Sequence, residues 1–147
     1  MKYLNFLFKT KNYINKNKIT YLIDATNQIL GRFCSNIIKI LIGKINYNYT
    51  KNYSFINKVI IINSKFIKIN KYKINNKKYY KYSGYIGNKK TYYMKTIYKK
   101  NSSFLIKKSI FRMLPKNSLG KKAKKNILIF NNNHNFKNLK YKIIKFK

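Results

Sequence analysis

The sequence has almost no negative charge. Asp24 is its one acidic residue, set against thirty-five lysines and arginines, for a formal net charge of +34. That scarcity excludes a stabilising network of salt bridges, and with it any catalysis that needs paired carboxylates. Cysteine occurs once, at Cys34, so neither an internal disulfide nor a cysteine-based zinc cluster can form. His134 is the sole histidine and Pro115 the sole proline, tryptophan is absent, and arginine is confined to Arg32 and Arg112. Apolar runs such as Val59–Ile62 and Ile40–Ile42 fall far short of the ~20 residues a membrane span needs. The opening "MKYLNFLF" is too short for a secretory signal, lacks a small-residue cleavage site and carries no arginine of a mitochondrial presequence. The N-terminus is therefore expected to belong to the mature protein.

What remains is a chain of 147 residues, 45% apolar, enough for one domain with a real core. A compact body of this charge repels itself, so a polyanion that binds the folded form must supply part of its stability. Lys, Asn, Ile, Tyr and Phe dominate the composition, all residues with A/T-rich codons. Many lysines are then mutational default, whereas an arginine, glycine or proline that persists is more informative.

Residues 1–18 show no sustained period and form a basic N-terminal arm. "ITYLIDA" (19–25) is a buried strand candidate. Leu30, Phe33, Cys34, Ile37, Ile38 and Leu41 then follow the spacing of an amphipathic helix that ends at Gly43. Residues 44–57 form a loop, and "KVIIINS" (58–64) a second strand. "KFIKINKYKI" (65–74) alternates like an edge strand. Residues 75–93, lysine- and tyrosine-rich with two glycines, are expected to be irregular and too polar for the core. A helix is predicted over 102–114, with Ser102 or Ser103 as N-cap and Ile106, Ile110, Met113 and Leu114 inward. Pro115 ends it, "ILIF" (127–130) is a last strand, and the basic tail that follows is mostly irregular. The boundaries are an α/β domain over 19–134 and a basic tail over 135–147. The order β-α-β-β-(loop)-α-β predicts a mainly parallel sheet with helices on its faces.

Asp24, at a strand end, is suited to orienting a loop or capping the turn before the first helix. Cys34 lies on the apolar face of that helix and reads as core. The turn after the first strand lacks G-x-G-x-x-G and "IGKIN" is no Walker loop, so no nucleotide cofactor is implied. Nothing points to a metal or a small-molecule substrate. Binding chemistry is richer. In "KKYYKYSGYIGNKK" the cations Lys77, Lys78, Lys81, Lys89 and Lys90 alternate with Tyr80, Tyr82 and Tyr85 around Ser83, Gly84 and Gly87. Lysines neutralise phosphates and tyrosine rings stack on unpaired bases. Arg32, at the start of the first helix, is a phosphate site or a plain solvated arginine. Pro115 would fix the exit of a loop to Gly120 that presents Lys116, Lys121, Lys122, Lys124 and Lys125 on a rigid corner, losing little entropy on binding. His134 reads as a surface or RNA-contacting histidine.

The blocks "YLIDATNQILGR" (21–32), Gly43-Lys44, "VIIINSKFIKI" (59–69), "KKYYKYSGYIG" (77–87) and "MLPKNSLGKKAKKNILIF" (113–130) resemble, in order and spacing, ribosomal protein L-thirteen (L13) of the bacterial and organellar type. The resemblance implies a three-layer α/β/α domain with a four-stranded mainly parallel sheet. It also implies a structural, non-catalytic protein of the large ribosomal subunit, without cofactor, that binds large-subunit rRNA and supports assembly. Its family neighbours include the L-three and L-twenty proteins. Arg32, Lys78, Tyr80, Ser83, Gly84, Tyr85, Gly87, Pro115, Lys116, Gly120 and Lys121 fall at motif positions. The departures are "NYSFIN" (52–57) in place of an acidic turn, Ile86 in place of a proline, and "HNF" (134–136) in place of H-P-H. With its relatives' acids missing, this chain is expected to lean on RNA for its fold more than they do. Composition and arm length point to an organelle gene, mitochondrial or plastid, with the cytoplasm of a reduced AT-rich bacterium as the alternative. The competing reading is an organellar nucleoid protein that binds DNA by charge. Packaging proteins favour basic repeats and a weak core, and this chain has neither.

Overall fold

The computed structural model of the chain describes residues 19–46, 49, 57–133, 140–144 and 146. The expected arm over 1–18 and His134 lie outside them. The β-branched and aromatic runs form the parallel strands β1 (Thr20–Asp24) and β2 (Lys58–Ile62), joined by the helix α1 (Leu30–Ile42). Their register runs from Thr20 opposite Lys58 to Asp24 opposite Ile62. Two outer strands complete a four-stranded, all-parallel sheet in the order β5-β2-β1-β6, with β5 at Ile127–Ile129 and β6 at Lys142–Ile144.

Strand alternation divides the core. Tyr21, Ile23, Val59, Ile61 and Ile127 pack against Phe33, Cys34, Ile37, Ile40 and Leu41 of α1. Leu22, Ile60 and Ile62 form a smaller cluster with Phe130 and Tyr141. Both sets are buried, as parallel strands require. Gly43 closes α1 with φ 81°, its N–H reaching the Ile40 carbonyl while that of Lys44 reaches Lys39.

Asp24 takes up the role its position suggests. One carboxylate oxygen, Oδ1, accepts from the Thr26 N–H (2.9 Å) and hydroxyl (2.6 Å) and from Asn63 Nδ2 (3.1 Å). It thereby ties the turn into α1 to the chain leaving β2. Asn27 and Asn63 both adopt left-handed backbone there, at φ 60° and 58°.

Several expectations need correction. Residues 65–74 are not an edge strand. Asn63 turns the chain into a 3₁₀ turn at Ser64–Phe66, Lys68 makes a single bridge to Ile29, and Asn70 caps the short helix α2 (Lys71–Asn76) by accepting from the Tyr72 N–H. Asparagine side chains that bond the local backbone overrode the alternation. Residues 75–93 are not irregular. They form an antiparallel hairpin, β3 (Lys78–Tyr82) and β4 (Lys89–Tyr93), whose Tyr79 is buried against Met94 and Leu105.

After α3 (Met94–Lys100), the helix α4 (Ser102–Met113) is capped by Asn101 and not by a serine. Ser102 is instead buried, its hydroxyl 3.2 Å from that of Ser64 and 3.4 Å from Asn131 Oδ1. The inner face of α4 holds Leu105, and Met113 is half exposed. Finally, the tail expected to be mostly irregular carries β6. Beyond it, Phe146 packs edge-on against Phe33 at 5.9 Å and its carbonyl accepts from Gln28.

Asp24→Ala is expected to destabilise the fold by about 0.5–1.5 kcal/mol, because the exposed Thr26 and Asn63 donors exchange a charged acceptor for water. Urea unfolding of the two proteins checks it, and an unchanged midpoint would mean the turn holds without the carboxylate.

Candidate nucleic-acid interface

The hairpin projects lysine and tyrosine in alternation because its strands are wet over most of their surface. Lys78, Tyr80, Lys81, Tyr82, Lys89 and Lys90 are all exposed, with Tyr79 alone turned into the body. The tip from Ser83 to Asn88 turns through Gly84 (φ 96°) and Gly87 (φ 78°), which lifts Tyr85 and Ile86 fully into solvent. Side chains resist such backbone, so the two glycines serve the turn first and any close approach of a ligand second.

Lacking carboxylates, the cations lie over rings. The Lys89 ammonium is 4.3 Å from the Tyr80 ring centroid, and that of Lys78 is 5.3 Å from Tyr93. Tyr79 collects three: Lys108 at 4.3 Å, Arg112 at 5.4 Å and Lys77 at 5.6 Å. Lys108 and Arg112 sit one turn apart on α4 and repel. Burial, reinforced by that repulsion, lowers the Lys108 pKa. Burial also raises the Tyr79 phenol, against an opposing pull from Arg112. Lys108 and Arg112 were not among the residues singled out from sequence. The available signal was their four-residue spacing and the persistence of arginine in a lysine-biased chain.

The block after Pro115 is a helix from Ser118 and not the loop to Gly120 that was expected to form a rigid corner. Asn117 Oδ1 accepts from the Gly120 N–H at 2.9 Å and starts α5 (Ser118–Lys125). Gly120 is buried against the Pro115 carbonyl, where no side chain would fit, so its place in the pattern is explained by packing. Ala123 faces the core, and Lys116, Lys121, Lys122 and Lys125 are exposed. Lys124 is half buried, 5.4 Å from the Phe111 ring that Lys107 also approaches at 5.7 Å. Cations in the last turn suit the negative end of the helix dipole.

Helix α4 therefore joins two basic groups: the hairpin through Lys108 and Arg112, and α5 through Phe111. Arg32 is exposed in the first turn of α1, an end with no side-chain cap, and its neighbour Leu30 packs against the cluster beneath the hairpin. Lys44, beyond the other end of α1, is roughly 18 Å further along the axis and stands apart. Cys34 is buried and its thiol pKa is pushed up to about 12, which leaves no thiolate at neutral pH. Among the described residues no cluster of His, Cys and Asp could hold a metal ion, and no helix is long and apolar enough to cross a membrane.

Comparison with known proteins agrees with the resemblance seen in the motifs. The family model of ribosomal protein L13 matches residues 18–135. The large ribosomal subunit protein uL13 of Wigglesworthia glossinidia brevipalpis is 42% identical over 125 residues, 85% of this chain and 86% of its own. The uL13 of Mycoplasmopsis synoviae is 35% identical over 119 residues, 81% of this chain and 83% of its own. The large ribosomal subunit protein uL13c of Gracilaria tenuistipitata var. liui is 35% identical over 142 residues, 96% of either chain.

Gly120→Ala is expected to cost about 1–3 kcal/mol, because the new methyl group meets the Pro115 carbonyl. Thermal unfolding checks it, and a stability equal to wild type would return Gly120 to the set of residues explained only by a ligand.

Proposed function

The chain belongs to the ribosomal protein L13 family, and on that premise we propose that it is a structural constituent of the large ribosomal subunit that binds large-subunit rRNA, supports subunit assembly and so contributes to translation. The observation that carries this is the extent of the likeness. The three relatives described above, each named a large ribosomal subunit protein, match more than four-fifths of this chain and of their own length.

The geometry supports the same reading. Exposed lysines on the hairpin and α5 would displace counterions from phosphates, a gain in entropy that needs no base sequence. Tyr80, Tyr82 and Tyr85 would stack on unpaired bases or riboses. The partner's phosphates would supply the negative charge the chain lacks, so binding and folding reinforce each other. The role is architectural and requires no reaction at any residue. Protein neighbours would be those the family resemblance implies, the L-three and L-twenty proteins. For its location we propose an organelle, a reading supported by the drifted composition and the likeness to the uL13c of Gracilaria, with the cytoplasm of a reduced AT-rich bacterium as the alternative, supported by the likeness to the uL13 of Wigglesworthia.

Sedimentation of native lysate at moderate salt is expected to carry the protein with the large subunit and its rRNA. Migration with DNA would favour a nucleoid protein instead. In purified binding assays, Lys121→Ala and Lys122→Ala should each weaken RNA binding and reduce the salt-dependence slope by roughly one per lost phosphate contact. Unchanged slopes would mean those lysines face only solvent.

A further inference from the structure

We propose that the groove between the β3–β4 hairpin and helices α3 and α4 is a slot for one unstacked RNA nucleotide, an inference that rests on the rRNA-binding reading above. The groove has a volume of about 540 Å³, within the ~300–1,000 Å³ of small-ligand clefts. Tyr80 and Tyr92 line it from the hairpin, Ile97 and Phe104 from the helices. The three rings are 47%, 43% and 44% exposed. Single exposed aromatics are ordinary on a protein surface, but three converging on one groove mark a surface built for a ligand.

The charges identify that ligand. Lys81, Lys100 and Lys108 also line the groove, and no acidic residue does. Apolar walls beside cations match a base with its phosphates, with the flat π-face against a ring and the phosphate against ammonium. Of the groove's cations Lys108 shares the Tyr79 ring with Arg112 and, among the described residues, has no carboxylate beside it, which leaves its ammonium available to a phosphate. Asn101 adds a polar contact. Its Oδ1 is engaged by the Ser103 hydroxyl (2.6 Å) and the Phe104 N–H (3.3 Å), while Nδ2 makes no hydrogen bond among the described residues. That amide can donate to a base carbonyl or ring nitrogen. An acidic peptide would answer the cations but leave three flat ring faces without a flat partner.

The absence of tryptophan makes the test direct. Full-length Phe104→Trp carries a single indole in the groove, and Tyr92→Trp provides a second variant should the first fold poorly. Phe66→Trp places the reporter on an exposed position outside it. Each variant is titrated with a fluorescein-labelled single-stranded oligoribonucleotide and with the same ribose-phosphate chain lacking bases, following label anisotropy for binding and indole emission for stacking. The expected result is loss of emission at positions 104 and 92, only with the base-bearing chain, while Phe66→Trp keeps its emission. The untagged wild type should prefer the base-bearing chain by roughly tenfold, and Phe104→Ala should erase that preference without changing the salt slope. Binding of both chains with no emission change, or an equal change in Phe66→Trp, overturns the slot and leaves RNA binding standing. No rise in anisotropy with either chain overturns the RNA-binding reading and the slot with it.

Discussion

The governing constraint is that thirty-five cations have one carboxylate among them. Ion pairing, the usual way to settle lysines on a surface, is closed to nearly all of them. The structure settles several over aromatic rings instead, as with Lys89 on Tyr80, Lys124 on Phe111, and Lys108 with Arg112 on Tyr79. Each such contact is worth about 0.5–1 kcal/mol at an exposed site, which offsets only part of the repulsion. The single carboxylate is spent on geometry. Asp24 fixes where β1 hands over to α1 and where the chain leaves β2, and those two exits aim everything that follows.

The architecture separates stability from charge. The four-stranded sheet and α1 bury an almost wholly apolar core, and β2 and β5, which bracket the basic elements in sequence, lie side by side within it. The chain between them forms one long excursion: α2, the hairpin, α3, α4 and α5. Nearly all the candidate binding cations lie on that excursion, held at its two ends by paired strands. Inside it, the Ser64–Ser102–Asn131 hydroxyl and amide cluster pins the start of α4 to both ends of the loop. A crossover that must close on adjacent parallel strands keeps its cations in a fixed arrangement, which a flexible basic tail would not.

How much of this could be seen in the sequence depended on which force decided each segment. Where burial decided, the pattern was plain: β1, α1, β2 and β5 emerged near their observed limits because their apolar residues recur at strand or helix period. Where an asparagine side chain decided, the pattern misled. Asn63 and Asn70 break the apparent alternation of 65–74, and Asn101 and Asn117 start helices that read as serine-capped or as a loop. In a chain this rich in asparagine, capping residues do not stand out from the background. The outer strand β6 was missed for a different reason. Its three residues are a half-exposed Lys-Ile-Ile whose identity depends on pairing with Tyr21 and its neighbours, which local sequence does not record. Of the candidate site, the lysine- and tyrosine-rich segment and the basic block after Pro115 were legible as composition, but not as a hairpin and a helix. The cations of α4 that join them were not, since only the fold brings Lys108 and Arg112 to Tyr79.

The rings that hold lysines also connect the two kinds of binding chemistry. An ammonium over a tyrosine face covers that face, so in the free protein charge and stacking surface partly conceal each other. Moving the Lys89 ammonium from the Tyr80 ring to a phosphate exchanges a weak cation–π contact for a charge-assisted one and uncovers the ring. The uncovered face can then take a base. On the rRNA-binding reading proposed above, phosphate capture and base stacking on the hairpin would be coupled, driven in the same direction by one displacement. A chain with ordinary acidity would hold its lysines in salt bridges, and phosphate would have to compete with carboxylates for them. Here the Lys89 ammonium faces a neutral ring, and giving up that contact would ready the ring for a base.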